Sequence, residues 1–280
     1  MTNTNILAFG AGVDSTALLA IDLNREAVSR FLNIPRNLLD EKFPKLDAVV
    51  FSDPGAEYPE TYDNVEIANK ICAENNLRFE KIKKDGENII DWLDRLGNLP
   101  LLPGAGHVCS LKFKGEVLNK FAEKEYEGQI RWSIGIEANE GHRVKRIKIQ
   151  KGSRHIHTHP LVDLNLTRED CIQIIEKFWP VSVTKSSCFF CPFASEEEIK
   201  NLHDNYPELW DRAKQIEVNF KATSKIKNQR WIDNGRKLNK AGRANKGEWR
   251  EDSYAKGARL FARAINGRVL SVDEWEAKVA

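Results

Sequence analysis

A glycine-containing turn between a predicted strand and a predicted helix is the feature that most constrains the fold of this chain. Residues 5–10 (NILAFG) form the short apolar run of a buried strand, and residues 15–22 (STALLAID) have the apolar spacing of a helix. Gly10 and Gly12 in the turn allow a ligand to approach the backbone closely. Because the unpaired N–H groups and the dipole of a helix N-terminus attract anions, this arrangement predicts a phosphate site.

The alternation of strands and helices continues along the chain. Residues 46–52 (LDAVVFS), 77–81 (LRFEK) and 129–136 (QIRWSIGI) are predicted strands, and residues 60–75 form a predicted helix between the first two. Alternating elements of this kind favour a parallel sheet that is covered by helices on both faces. We therefore expect an α/β fold with a parallel-sheet, Rossmann-like core, whose ligands bind at the carboxyl ends of the strands.

Two helices in the second half of the chain are predicted from their capping signals. Thr167 and Asp170 have the spacing of a capping box, and the helix they open is expected to end at Phe178, before Trp179-Pro180. A further helix is expected to open at residues 195–198 (SEEE). We predict three regions: residues 1–165 as the nucleotide-binding domain, 166–220 as a cysteine-containing helical region, and 221–280 as a basic, helical C-terminal extension.

The basic extension differs in charge from the rest of the chain. Residues 221–265 contain thirteen Lys or Arg and four Asp or Glu, although the whole chain has a net charge of only +2. Trp231, Trp249, Tyr254 and Phe261 are interspersed among these cations. Cations bind phosphates and aromatic faces stack on bases, so one interpretation is a surface for DNA or tRNA. The alternative is a helical cap whose aromatic residues anchor it to the body.

Composition indicates a soluble, cytoplasmic protein. The chain is 41% hydrophobic and 30% charged, and no apolar run approaches the roughly 18 residues of a membrane span. Residues 1–5 lack the basic region of a signal peptide. Five cysteines in a chain of 280 residues without a secretion signal favour metal or redox chemistry over a disulfide framework.

The turn resembles a known phosphate loop. It lacks the Gly-Lys-Ser/Thr of a Walker A site and the third glycine of a dinucleotide fingerprint. The string FGAGVDSTALL resembles the Ser-Gly-Gly-x-Asp-Ser loop of the PP-loop ATP pyrophosphatases, also called adenine nucleotide α-hydrolases. Gly10 and Ala11 depart from that pattern, so one serine hydroxyl is absent, whereas Asp14 and Ser15 match it.

Two further segments resemble the phosphoadenosine-phosphosulfate reductase relatives within that superfamily. Residues 53–62 (DPGAEYPETY) are similar to their second-strand motif, and residues 135–140 (GIEANE) with Arg143 are similar to their Gly-Ile-Arg-x-x-Glu loop. Glu137 stands where many relatives have arginine. The resemblance covers roughly residues 5–215 and includes members from phages and from DNA sulfur modification.

The resemblance implies that the loop binds ATP while a nucleophile attacks the α-phosphorus, with pyrophosphate as a product. It implies Mg²⁺, with Asp14 and Asp53 as candidate partners, and it implies Asp14, Lys112 and Arg143 as catalytic residues; Lys114 is interpreted as a surface cation. The expected nucleotide contacts are Phe9, Gly10, Ala11, Gly12, Val13, Asp14, Ser15, Thr16, Ser52, Asp53, Glu57, Gly135 and Glu140.

The cysteines suggest a metal centre. Cys188 and Cys191 form a C-x-x-C followed by proline, which is half of a metal site, and Cys109 and Cys171 could complete it. Four thiolates suit zinc or a [4Fe–4S] cluster, and the resemblance to sulfur-handling proteins favours iron–sulfur. If Cys171 is instead a buried core residue, three cysteines would leave one iron open. Cys72 fits a helix core pattern.

A group of three histidines has two interpretations. His155, His157 and His159 alternate as in a strand, which would place the three imidazoles on one face. A metal site is one interpretation. The other is that His159 handles a substrate proton, since the His-Pro-Leu that begins there matches a segment beside the active site in the family.

The function expected from these features is ATP cleavage that activates a substrate for sulfur transfer, for example in DNA phosphorothioation, with a cysteine desulfurase as a possible sulfur donor. A sulfonucleotide reductase is the first alternative, although such reductases use a cysteine near the C-terminus and this sequence has none after Cys191. A non-catalytic module that binds nucleotide or nucleic acid is the second alternative.

Overall fold

The computed structural model describes residues 3–102, 106–146, 152–233, 259–261, 264–265 and 268–279. The chain forms two compact units, one of Met1–Asp85 with Lys112–Ser187, and one of Gly86–Leu111 with Cys188–Ala280. This division differs from the three predicted regions. The helix that follows Thr167 belongs to the first unit because it packs against the first helix of the sheet domain.

The described strands alternate with helices as expected. The strands are β1 (Asn3–Ala8), β2 (Ala48–Asp53), β3 (Arg78–Lys83), β4 (Leu101–Leu102), β5 (Gly106–His107), β6 (Gln129–Ile134), β7 (His155–Thr158), β8 (Ala264–Ile265) and β9 (Arg268–Val269). The helices are α1 (Val13–Leu23), α2 (Arg25–Phe31), α3 (Arg36–Lys42), α4 (Pro59–Glu74), α5 (Ile89–Leu96), α6 (Glu116–Glu125), α7 (Pro160–Asp163), α8 (Arg168–Phe178), α9 (Glu196–Asn205), α10 (Pro207–Asp233) and α11 (Val272–Val279). A π-helix (Cys109–Gly115) and a 3₁₀ helix (Ala138–Arg146) complete the described elements.

The first unit is built on a five-stranded parallel sheet in the order β3-β2-β1-β6-β7. The central strand β1 aligns Ile6 with Ala48 on β2 and with Trp132 on β6. The four predicted strands and the strand expected from the alternating histidines are all present, with ends that differ by at most two residues. The predicted α/β, Rossmann-like core is therefore confirmed.

Both faces of the sheet are covered, which explains why its central strands are apolar throughout. Leu7 and Val49 point to the face packed by α1, α4 and α8, and Ile6 and Val50 point to the face packed by α6. All four side chains are fully buried.

The predicted capping box at Thr167 is present, and the predicted helix start at residues 195–198 also has one. At α8 the hydroxyl of Thr167 accepts the backbone N–H of Asp170 at 3.3 Å, and the Asp170 carboxylate accepts the N–H of Thr167 at 2.8 Å. Ser195 and Glu198 make the same reciprocal pair at the start of α9, with distances of 3.1 and 2.7 Å. Each box satisfies N–H groups that a helix start otherwise leaves unpaired.

The second unit has its own core. Phe261 is fully buried and stacks against Trp210 with ring centroids 6.5 Å apart. The buried carboxylate of Glu217 on α10 accepts the backbone N–H groups of Leu260 and Val272 at 3.1 and 3.2 Å, which holds these two segments against α10.

The packing of Phe261 distinguishes the two interpretations of this residue, which are a nucleic-acid contact and an anchor to the body. Phe261 is an anchoring core residue and is not exposed for stacking on a base. Trp249 and Tyr254 lie outside the described residues, as does the side chain of Trp231. Within the described parts of the chain, no helix is both long and apolar enough to cross a membrane.

Candidate functional site

The sheet has a topological switch point between β1 and β6. From β1 the chain proceeds outward through β2 and β3 on one side, and later through β6 and β7 on the other. The loops that leave β1 and β6 therefore meet at the carboxyl ends of neighbouring strands, which is where such sheets bind ligands. The two loops are in contact there, because a Cβ added to Gly135 would lie 2.8 Å from the backbone nitrogen of Ser15.

The loop after β1 (residues 9–16, the phosphate loop) is ordered by its own hydrogen bonds. The Ser15 hydroxyl accepts the N–H of Gly10 at 3.1 Å and donates to the carbonyl of Gly12 at 3.2 Å. Ala11 has a φ of 57°, in the left-handed region that residues with a Cβ seldom adopt. The hydroxyl of Ser15, one of the expected nucleotide contacts, therefore orders the loop in this structure, and its contact with a phosphate stays a prediction.

The N-terminus of α1 is open at this loop. The helix begins at Val13, and Gly12 at the N-cap position offers no side chain to cap it. The first N–H groups of any helix have no partner within the helix and carry the positive end of its dipole. The helix N-terminus for which the sequence predicts an anion thus lies at the switch point.

Asp14 is the buried acid of the site. It is only 9% exposed, and its Oδ1 lies 2.8 Å from Nη1 of Arg168. Burial raises the pKa of Asp14 to about 6, with smaller upward effects from Glu140 and Glu137, although Arg168 and Arg143 act in the opposite direction. A buried carboxyl group with a pKa displaced this far is typical of functional sites.

Arg168 was not identified from the sequence as a site residue. It is the first residue of α8, where a cation is unfavourable because it faces the positive end of the helix dipole. The unfavourable position next to a capping box is the signal that could have identified it. In the folded chain its guanidinium is held by Asp14.

The side chains at the end of β2 are fixed by hydrogen bonds to neighbouring residues. Ser52 donates its hydroxyl to the carbonyl of Phe113 at 2.8 Å. Asp53 accepts the N–H of Gly55 at 2.7 Å and the hydroxyl of Tyr62 at 2.8 Å, so it has the role of a turn residue. Burial, together with the Asp53 hydrogen bond, raises the pKa of Tyr62. A Mg²⁺ role for Asp53 stays a prediction.

Glu57 forms a buried ion pair with Lys114. The carboxylate is 0% exposed, and its Oε1 accepts Lys114 Nζ at 2.8 Å. Lys114 is therefore not the surface cation that we expected, because it neutralises a carboxylate that would otherwise be buried with its charge. Lys112, two residues earlier on the π-helix, is half-buried.

The loop after β6 contributes one exposed charge, one half-buried charge and one buried charge. Glu140 and Arg143 form an ion pair at 2.5 Å on the 3₁₀ helix, and Arg143 is 54% exposed. Glu137 is 5% exposed and accepts the N–H of Asn139 at 2.7 Å, so it caps the start of that helix. Glu137 thus fills a structural position where the resembling proteins have a cation.

Two further residues at the phosphate loop were missed. Ser186 lies against Gly12, since a Cβ at Gly12 would lie 2.7 Å from the Ser186 hydroxyl oxygen and 2.9 Å from its nitrogen. Asn64 on α4 is 4% exposed and donates to the carbonyl of Ala11. Neither residue belongs to a recognisable motif, and only the folded chain brings them to the loop.

The three histidines have different surroundings. His155 accepts the indole N–H of Trp132 at 3.0 Å and packs parallel to that ring. His157 is exposed. His159 occupies the N-cap position of α7 without a side-chain capping bond, is 7% exposed, and its Nε2 has no hydrogen-bond partner among the described residues. Burial lowers the pKa of His159, which favours a neutral imidazole.

The predicted cysteine ligands fall in both units. Cys109, Cys188 and Cys191 belong to the second unit, where the N–H of Cys191 bonds to the carbonyl of Cys188 at 2.9 Å in a tight turn. Cys171 lies on α8 in the core of the first unit, fully buried, and burial raises its thiol pKa to about 12.

No three His, Cys, Asp or Glu side chains are grouped to hold a metal ion within the residues that the structure describes. The turn of Cys188 and Cys191 suits two metal bonds, but the described arrangement does not supply a complete ligand set. The iron–sulfur cluster and its zinc alternative therefore stay predictions.

Comparison with known proteins adds one relative. The chain is 25% identical over 223 residues to an uncharacterized protein of Methanocaldococcus jannaschii, a match that covers 75% of this chain. The chain spans 41% of the length of that relative. No protein-family model matches the chain.

Proposed function

We propose that this protein is a PP-loop ATP pyrophosphatase, which binds the phosphates of ATP at the N-terminus of α1 and cleaves ATP at the α-phosphate. The observation that carries the proposal is the position of the phosphate loop at the switch point, in contact with Gly135 of the loop after β6. Combined with the resemblance of residues 9–16 to the PP-loop, this position favours a nucleotide over other anions.

The side chains around the loop have distinct roles in this proposal. Backbone N–H groups at the start of α1 bind the β- and γ-phosphates. Lys112 and Arg143 donate charge-assisted hydrogen bonds to phosphate oxygens. Arg168 keeps Asp14 ionised by lowering its pKa toward that of an ordinary carboxyl. Lys114 has no direct role, because Glu57 already binds it.

Asp14 is the residue that would hold Mg²⁺. Magnesium is usually bound by one or two carboxylates together with the phosphates of the substrate, so one buried carboxylate beside the loop fits this mode. With a pKa of about 6, Asp14 is ionised at neutral pH. When bound, the ion would offset the charge that develops on the departing pyrophosphate.

The acceptor is proposed to belong to nucleic-acid sulfur modification. Attack of a substrate oxygen on the α-phosphorus releases pyrophosphate and yields an adenylylated substrate, from which the terminal sulfur of a persulfide on a donor such as a cysteine desulfurase can displace AMP. A thiol then reduces the resulting disulfide, which supplies two electrons and releases the donor. DNA or tRNA is the proposed macromolecule because of the thirteen Lys or Arg in residues 221–265. This part depends on the resemblance and on charge, and on no contact in the described site.

The decisive experiment measures pyrophosphate released from ATP by anaerobically purified protein with Mg²⁺, with and without DNA or tRNA. Asp14→Asn should lower kcat/KM by at least about 100-fold. Asp63→Asn is the matched control, since Asp63 is an exposed acid in the same unit.

Three results would contradict the proposal. Release of inorganic phosphate and ADP would place cleavage at the wrong bond. Binding of ATP without turnover under any of these conditions would indicate a nucleotide-binding module. Formation of sulfite from phosphoadenosine phosphosulfate with thioredoxin would indicate a sulfonucleotide reductase.

A further inference from the structure

Asn64 connects helix α4 to two points of the phosphate loop, one before α1 and one in its first turn. Its Nδ2 donates to the carbonyl of Ala11 at 2.9 Å and to the hydroxyl oxygen of Thr16 at 2.9 Å. Ala11 lies before α1 and Thr16 in its first turn, so a single amide group fixes the loop across the point where the helix begins. Asn64 is 4% exposed and Thr16 is 0% exposed, so water does not compete for these bonds.

The bond to Ala11 acts on the unusual part of the loop. Ala11 has a φ of 57°, and residues with a Cβ hold such a conformation only when their surroundings fix it. The hydrogen bond to the Ala11 carbonyl orients the peptide group that follows this residue. That peptide group leads directly to Gly12 and the open N-terminus of α1.

A third bond sets the orientation of the Asn64 amide. The indole N–H of Trp179 donates to Asn64 Oδ1 at 2.9 Å. An indole nitrogen can only donate, so it must face the oxygen of the amide, and the NH₂ group must then face the loop. Trp179 is 6% exposed and lies at the end of α8.

We propose that Asn64 is a positioning residue of the nucleotide site, which holds the phosphate loop in its binding conformation, and that Trp179 sets the orientation of Asn64. This inference rests on the proposed function, because it takes the loop as the site of the ATP phosphates. Asn64 acts on the substrate through the loop. A change in the loop on binding is transmitted through the same bonds to the indole of Trp179.

Two substitutions test the bonds of Asn64 to the loop and the bond of Trp179 to Asn64 separately. Asn64→Asp keeps the size of the side chain and an acceptor for Trp179, but it replaces both donations to the loop with an oxygen that repels the Ala11 carbonyl. Trp179→Phe removes only the indole donor. We expect kcat/KM for ATP to fall about 10- to 100-fold in the first variant and about threefold in the second.

The kinetic pattern distinguishes positioning from a purely structural effect. A disordered loop weakens phosphate binding, so Asn64→Asp should raise KM more than it lowers kcat. Asn75→Asp is the control, since Asn75 ends the same helix, about 16 Å further along it, and hydrogen-bonds the carbonyl of Ile71. That variant should lower stability and leave KM unchanged.

A spectroscopic measurement tests the connection without turnover. The indole ¹H–¹⁵N resonance of Trp179, assigned by its absence in Trp179→Phe, should shift when inorganic pyrophosphate or ATP is added to the wild-type protein. The shift should disappear in Asn64→Asp, and the measurement reports on folded molecules even if this variant folds in low yield.

The outcomes separate this inference from the proposed function. If the wild type releases pyrophosphate and Asn64→Asp has the same KM and the same indole shift, the inference is wrong and the proposed function stands. If the wild type shows the Asn64-dependent shift but never cleaves ATP, the proposed function fails and the positioning role stands. If no shift occurs in the wild type with either ligand, the inference is overturned.

Discussion

The Asp14 carboxylate lies 2.8 Å from Nη1 of Arg168, and this ion pair joins the first turn of α1 to the first turn of α8. The two residues are 154 positions apart in the chain. Arg168 is unfavourable at the start of its own helix, and Asp14 is unfavourable as a buried charge. Each residue offsets the cost of the other, so the pair keeps a carboxylate ionised beside the phosphate loop.

Removal of the cation should shift the pH dependence of activity. Arg168 lowers the pKa of Asp14, which burial raises to about 6. In Arg168→Gln that pKa should rise further, so the acidic limb of kcat/KM for pyrophosphate release should move up by about one pH unit. The control variant Arg30→Gln, at an exposed arginine, should leave the pH profile of kcat/KM unchanged. An unshifted limb in Arg168→Gln would mean that Asp14 is not the group that titrates.

The ionised Asp14 should cost stability at neutral pH. The pKa of Asp14 is raised from 3.8 to about 6 in the folded state, so its contribution to stability is fully present below pH 3.8 and is lost as the pH rises through about 6. Asn resembles the protonated acid. Asp14→Asn should therefore raise the melting temperature at pH 8, on the order of a few degrees, and change it little at pH 3.5.

Asp40 provides a control for that measurement, because its substitution should change the melting temperature in the opposite direction. Burial would raise its pKa, but the hydrogen bonds from Arg36 and Arg25 outweigh this effect and the pKa is lowered. Its contribution to stability is present above pH 3.8 and is lost as the pH falls through the lower folded pKa. Asp40→Asn should thus lower the melting temperature at pH 8. If both variants respond to pH in the same direction, the assignment of Asp14 is wrong.

Two glycines of the loop should tolerate alanine very differently. A Cβ at Gly12 would lie 2.7 Å from the Ser186 hydroxyl oxygen and 2.9 Å from its backbone nitrogen, whereas a Cβ at Gly10 would meet nothing closer than 3.7 Å. Gly12→Ala should displace the segment around Ser186 and weaken ATP binding at least about tenfold, since even a shift of about 1 Å is costly in a site. Gly10→Ala should bind within about twofold of the wild type in isothermal titration. Equal affinities for both variants would show that Ser186 yields without cost.

The buried position of Cys171 leads to a prediction about the metal centre. Cys188 and Cys191 share a tight turn, whereas Cys171 is fully buried in the core of the first unit. In anaerobic preparations, Cys188→Ser and Cys191→Ser should lose bound iron and the iron–sulfur absorbance, and Cys171→Ala should retain the iron. Loss of iron in Cys171→Ala would support the four-cysteine site. Zinc in a colourless wild-type protein would show that the cluster assignment is wrong.

Local signals in the sequence predicted most of the sheet domain. The apolar runs of β1, β2 and β6 are strong because both faces of these strands are buried. The capping box of Thr167 fixed the start of α8, since its bonds join residues three positions apart. The strand-turn-helix geometry at residues 9–16 was predictable for the same reason, because its shape depends on bonds among Gly10, Gly12 and Ser15.

Interactions between distant residues were not predictable in this way. The sequence around Lys114 indicates a surface cation. Only the packing of the π-helix near β2 brings Lys114 into an ion pair with Glu57. Phe261 is an aromatic residue among cations, which in the sequence suggests a nucleic-acid contact. In the folded chain it packs against Trp210 and is buried. In each case burial, which depends on the whole chain, determines the role of the side chain.

The sequence by itself determined the strand-loop-helix unit around Gly12, its open helix N-terminus and the parallel sheet that contains it, because these depend on periodicity, glycine and capping within a few residues. The tertiary structure alone decided which side chains surround that unit. Asn64, Arg168 and Ser186 reach the loop from three separate segments, and their contacts exist only when the sheet and the helices on it are packed.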